Sequence, residues 1–137
     1  MTARAPLFRL LCHCSICQQF NDSAFADVVV FRAAAVQQPD ASKIRFDTYR
    51  PPPNVQRGKC TICERPAIEV FEAPLAPSLI MIPQPMFVDN AALPDPVAHI
   101  FYESRVDDIN DALPKYSGYF RSQLAFGKFL IRGLWQG

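Results

Sequence analysis

Glycine is scarce in this chain, with five in 137 residues. No Gly-rich phosphate loop, dinucleotide fingerprint or Ser/His/Asp nucleophile elbow can be read from it. Excess charge of either sign is also missing. Fourteen basic residues face thirteen acidic ones, for a net charge of +1. Neither nucleic acid nor an anionic membrane is called for by that balance. Long apolar runs are absent too: none, including Leu79-Ile80-Met81-Ile82, exceeds four residues, far short of the roughly 18 that a membrane span needs. The first residues lack a basic segment followed by an apolar one, so no secretory signal is expected and the cytoplasm is the expected location.

What is present is apolar and proline-rich. Half the residues are apolar and 20% are charged, which argues against a disordered chain. The length suits one domain, residues 1–137. Thirteen prolines favour short elements joined by stiff loops. The charge is uneven: residues 1–68 carry nine Lys/Arg and five Asp/Glu, and residues 69–137 carry five and eight.

Short apolar stretches recur between turn signals. Leu7–Leu11, Ala24–Arg32, Lys43–Tyr49, Pro66–Glu72, Leu79–Ile82 and Val97–Glu103 read as strands. In Lys43–Tyr49, Ile44, Phe46 and Thr48 share one face. Turns are predicted at Gln38-Pro39-Asp40, Pro51–Asn54, Pro74–Pro77 and Pro94-Asp95-Pro96. This spacing predicts a mainly antiparallel β domain. The tail is the one helical candidate: in Tyr119–Trp135, Phe120, Leu124, Ile131 and Trp135 recur at helical spacing, and the segment is expected to pack on the sheet.

Five cysteines form two groups, Cys12-His13-Cys14-Ser15-Ile16-Cys17 and Cys60-Thr61-Ile62-Cys63. An odd count without a signal argues against a disulfide framework. C-x-C on extended chain places both sulfurs on one face, and C-x2-C lets two sulfurs converge on one ion. Zinc is the default ion for such thiolates. Two partitions stay open. Four cysteines could close one structural site, leaving one spare. Alternatively Cys12, Cys14 and Cys17 could hold a metal with an open position, with Cys60 and Cys63 apart. His13 is expected to point away from the metal side, in a supporting or surface role. His99 is expected to be hydrogen-bonded and half-buried.

The hexapeptide Cys12–Cys17, followed by Ser23-Ala24-Phe25-Ala26, resembles the core motif of the glutathione-dependent formaldehyde-activating enzyme family, which includes the centromere protein V type domain. Arg57-Gly58-Lys59-Cys60-Thr61-Ile62-Cys63, His99-Ile100, Ser104-Arg105 and Leu113-Pro114-Lys115-Tyr116 match downstream in order, giving a family-like core of 6–116 and an extension over 117–137. The resemblance implies a twisted antiparallel β-sandwich-like zinc fold, to which the spacing in the tail adds a C-terminal helix. It implies a carbon–sulfur lyase acting on a thiol–aldehyde adduct of glutathione and formaldehyde. By the same resemblance Cys12, Cys14 and Cys17 match a catalytic zinc site, and Cys60 and Cys63 half of a structural one. Arg105 is assigned to the carboxylates of a small thiol such as glutathione, from charge alone.

Three departures accompany the match. Only eleven residues precede Cys12 and none is cysteine, whereas members usually carry G-x-C-x-C-G there. Glu64 follows Cys63 where glycine is common. The chain continues past Tyr116, and the extension is expected to cover apolar surface that the N-terminal strand would otherwise cover. An unpaired edge strand would favour a homodimer. The alternative function is a non-catalytic zinc-stabilised binding module built on a closed four-cysteine site.

Overall fold

The fold is seen in a computed structural model, which describes residues 2–48, 55–72, 76–89 and 92–136. Tyr49, the Pro51–Asn54 turn, and Pro74 and Leu75 lie outside the described residues.

Among the described residues, nine strands and two α-helices follow one another: β1 (Thr2–Ala3), β2 (Phe8–Cys12), α1 (Ser15–Asn21), β3 (Ala26–Arg32), β4 (Val36–Gln37), β5 (Ile44–Thr48), β6 (Val55–Cys60), β7 (Pro66–Phe71), β8 (Leu79–Pro83), β9 (Pro96–Ile100) and α2 (Tyr119–Gln136). Seven strands form one sheet in the order β5-β6-β7-β8-β3-β2-β9, and β1 pairs with β4 in a small ribbon. Five of the six pairings in the large sheet are antiparallel; β2 and β9 run parallel.

The sandwich-like expectation resolves into this single sheet with a core on each face. In β3, Val28 and Val30 enter one core while Val29 and Phe31 enter the other. In β8, Leu79 faces the first core, and Ile80 and Ile82 face the second. Central strands covered on both sides read as unbroken apolar runs rather than alternating ones. β5 is different, because it lies at an edge. Its Ile44 and Phe46 fold over Gly58 of β6, where an added Cβ would sit 2.6 Å from Ile44 and 2.8 Å from Phe46. A side chain there would push the edge strand away. Sequence reading did not find β6, since Val55–Cys60 (VQRGKC) is mostly polar and carries glycine.

The other edge, β9, is covered locally. The His99 N–H donates to the Pro114 carbonyl and the Tyr116 N–H to the His99 carbonyl, each at 2.9 Å. Residues 114–116 therefore occupy part of this edge.

The tail is helical, as expected. Its Ser122, Ala125, Phe129 and Gly133 are buried. Phe126 and Phe129 meet Phe8 of β2 at ring separations of 5.4 and 6.1 Å. Gly133 lies against Leu7, where a Cβ would be 3.0 Å from the Leu7 carbonyl oxygen. The aromatics divide: Phe129 is core, whereas Tyr119, Phe120 and Trp135 stay exposed.

Candidate metal centre

The site begins where β2 ends. Cys12 is the last residue of that strand and is held between Ala26 of β3 and Ile100 of β9. The chain stays extended through His13, whose N–H donates to the Ile100 carbonyl at 3.0 Å. Cys14, with φ −64° and ψ 154°, caps α1, and its sulfur accepts the Cys17 N–H at 3.2 Å. Cys17 lies in the first helical turn and is buried. Strand end, cap and first turn thus bring three sulfurs within 4.8 Å of one another. Gln18 locks the arrangement by donating to the carbonyls of His13 at 2.7 Å and Ser104 at 2.8 Å.

The three thiols share their protons unequally. Hydrogen bonds from Cys12, from Cys17 and from the Cys17 N–H bring Cys14 down to about 3, with Arg57 nearby adding to the effect. Cys12 is pushed up, chiefly by its hydrogen bond to Cys14, and Cys17 by its bonds to Cys12 and Cys14; burial adds to both. Three soft sulfurs at this spacing, two of them buried, fit a thiophilic ion such as zinc.

Cys60 and Cys63 do not join this group. They sit on the hairpin turn between β6 and β7, closed by the Cys60 N–H to the Arg65 carbonyl at 3.0 Å. Cys60 is drawn below the usual thiol range by N–H groups of Cys63 and Ile62 and by the Cys63 thiol. Cys63 is exposed. Among the described residues no third His, Cys, Asp or Glu joins them in a group able to hold a metal. Glu64 adopts φ +61°, a left-handed conformation that explains why glycine suits this position.

A buried polar string flanks the cysteine loop, and sequence reading missed it. His13 is 1% exposed and His99 0%, so the surface role for His13 and the half-buried state of His99 are both corrected. His13 Nε2 lies 2.8 Å from His99 Nδ1, and His99 Nε2 lies 2.7 Å from an Asp111 carboxylate oxygen. Lys115 donates to the other Asp111 oxygen at 2.6 Å. The carboxylate accepts from His99 Nε2–H, so His99 Nδ1 accepts from His13 Nε2–H. Burial, followed by the neighbouring His99 and Arg105, brings His13 down to about 4. His13 is therefore neutral at pH 7, and its Nδ1 is a buried acceptor with no hydrogen-bond partner. The sequence marked His13 between two cysteines and His99 in an apolar run, both within the family-like motifs, but nothing local brought them together; their meeting depends on the parallel β2–β9 pairing.

The electrostatic surroundings are equally specific. Arg57 of β6 donates to Glu69 of β7 at 2.8 Å, with side chains 11% and 4% exposed. Burial lifts the Glu69 carboxyl above its usual range, and the Arg57 charge partly opposes this. Arg105 lies near Tyr102, its guanidinium 4.4 Å from the ring centre, and it donates to Asp108 at 2.5 Å. Tyr102 in turn packs its ring against both His13 and His99. A separate cleft of about 440 Å³ lies between the end of α1 and the β6–β7 turn, lined by Asn21, Arg45, Lys59, Glu64 and Arg65 among others.

The sequence profile described as glutathione-dependent formaldehyde-activating enzyme matches residues 1–104. The chain belongs to this family. No curated protein matches it. The family match contains all five cysteines, His13 and His99, and ends in the turn that carries Tyr102. Asp111, Lys115 and α2 lie beyond it. No helix among the described residues is long and apolar enough to cross a membrane.

Proposed function

We propose that the chain makes or breaks the carbon–sulfur bond between a small thiol, of which glutathione is the expected case, and formaldehyde, with zinc held by Cys12, Cys14 and Cys17. The observation that carries this reading is the number of sulfurs. Three from one hexapeptide lie within 4.8 Å, whereas a closed structural site would need four protein ligands. An ion there would supply positive charge that favours the thiolate form of an incoming thiol. In the forward direction the substrate sulfur bonds to the aldehyde carbon, the carbonyl π bond opens, and the thiol proton ends on the new hydroxyl. The reverse step returns thiol and aldehyde.

The chain's own residues define the surroundings. The His13–His99–Asp111 string holds the loop between Cys12 and Cys14. Arg57 places positive charge near Cys14. The cleft lined by Arg45, Lys59 and Arg65 offers carboxylate partners; Arg105 is bonded to Asp108, and within the cleft Arg45 lies 3.7 Å from Asp47.

The test is zinc content and free thiols on one sample, followed by adduct formation. Expected are one zinc per chain, two reactive thiols at Cys60 and Cys63, and glutathione-dependent loss of formaldehyde that disappears in Cys14→Ser. One zinc with a single reactive thiol, and no turnover, would replace this reading with the closed binding module.

A further inference from the structure

The face of α2 turned away from the sheet is apolar. Phe120 is 80% exposed, Leu124 74%, Ile131 59% and Trp135 86%. The buried face, Ser122 to Gly133, is already docked on the sheet, and among the described residues this second stripe belongs to neither core. Contiguous apolar surface of this kind marks an interaction site.

The stripe has a pattern. Phe120, Leu124, Gly127 and Ile131 recur at steps of four, three and four, the seam of a helix that pairs with another helix. The pattern is also nearly palindromic about Gly127 and Lys128. Reversing the helix places Phe120 over Trp135 and Leu124 over Ile131. At the midpoint, a Cβ on Gly127 would meet nothing within 4 Å, so a second backbone can approach closely there. A surface that complements its own reverse is what a two-fold axis requires.

We propose that α2 pairs antiparallel with α2 of a second copy of this chain, with the two-fold axis passing between Gly127 and Lys128. Charge and shape both bear on the choice of occupant. Arg121, Lys128 and Arg132 are the only charged residues of α2. In the reversed pairing Arg121 lies beside the other copy's Trp135, an aromatic face that attracts a cation. A lipid surface would also accept these cations. However, the stripe is narrow and the opposite face is clamped to the sheet, whereas a helix lying in a membrane interface buries a broad face. Four such side chains from each copy would cover roughly 1,000 Å² in total, the lower end of a specific interface.

The test uses the chain's one tryptophan, which lies on the stripe. Light scattering and Trp135 emission are followed together as concentration rises. The expected result is a mass approaching twice 15.4 kDa in roughly the micromolar range, with Trp135 emission moving to the blue. Leu124→Glu and Ile131→Glu should each stay at the mass of one chain, with red emission and an unchanged far-ultraviolet spectrum. Using both variants guards against either one failing to fold. Three results would overturn the proposal: a single-chain mass at every concentration, a dimer that survives both substitutions, or a blue shift seen only with anionic phospholipid vesicles.

Discussion

Two C-x2-C pairs in this chain have the same spacing and opposite surroundings. Cys14 and Cys17 open α1, and Cys12 at the end of β2 brings a third sulfur to them. Cys60 and Cys63 close a hairpin at the surface, and among the described residues no further ligand meets them. Both pairs use backbone donors in the same way: the Cys17 N–H reaches the Cys14 sulfur at 3.2 Å, and the Ile62 N–H reaches the Cys60 sulfur at 3.4 Å. Local geometry is therefore not what separates them. The difference is what the tertiary structure brings alongside. The Cys14–Cys17 pair opens a helix directly after Cys12, which ends β2 between β3 and β9; the Cys60–Cys63 pair leaves the end of β6 on a surface turn that brings no third ligand among the described residues.

The contrast can be broken most severely through the strand that serves both groups. Arg57 and Cys60 share β6, but Arg57 turns its charge toward Glu69 and the neighbourhood of Cys14. Arg57→Met leaves the Glu69 charge buried without its partner, which should cost about 3–5 kcal/mol. Urea unfolding measures it; a loss below about 1 kcal/mol would mean that the buried Glu69 does not depend on the Arg57 charge.

Zinc retention under a chelator sharpens the contrast next. Cys17→Ser should weaken metal binding by about a hundredfold, roughly a quarter of the free energy of a four-ligand zinc site. Cys63→Ser should leave it unchanged. Equal loss in the two variants would tie the hairpin pair to the same ion.

Acid tests the string beside Cys12 and Cys14. Lys115 and His99 hold Asp111 down at about 2. A carboxyl depressed in the folded state stabilises above its ordinary value of 3.8, and that contribution is lost as pH falls toward about 2. Asp111→Asn should therefore lower stability at neutral pH and flatten the loss across that acid window. An unchanged acid limb in the urea midpoint would show that Asp111 contributes nothing.

The smallest expected effect lies at the hairpin. Glu64 holds φ +61°, so Glu64→Gly should stabilise by up to about 1 kcal/mol by relieving a left-handed side-chain clash. Zinc affinity at Cys12, Cys14 and Cys17 should not move. A destabilised variant would show that the Glu64 side chain earns its place by some contact in the turn.

Much of the fold was legible from period and punctuation. The apolar runs over β3 and β8, the alternation over β5 and the tail helix all express local preference. β6 was not legible, because its polar residues owe their strand to the neighbours on either side and to the gap that Gly58 leaves for Ile44 and Phe46. The parallel β2–β9 pairing was hidden too. It joins segments 86 residues apart, as judged by the His13–His99 contact, and no local signal encodes such a register.

The site divides along the same line. Residue type and spacing were enough to mark Cys12, Cys14 and Cys17 as a candidate metal-binding group and to name the family, because sulfur chemistry and a six-residue span are local properties. Sequence left open whether Cys60 or Cys63 would join them, since both partitions satisfy the same spacings. Only the folded sheet separates the two groups, by ending β2 and β6 in different places. The same sheet carries His99 to His13 and buries Glu69 against Arg57. Those contacts need strands distant in the chain to lie side by side, and that adjacency is a property of the packed core rather than of any segment.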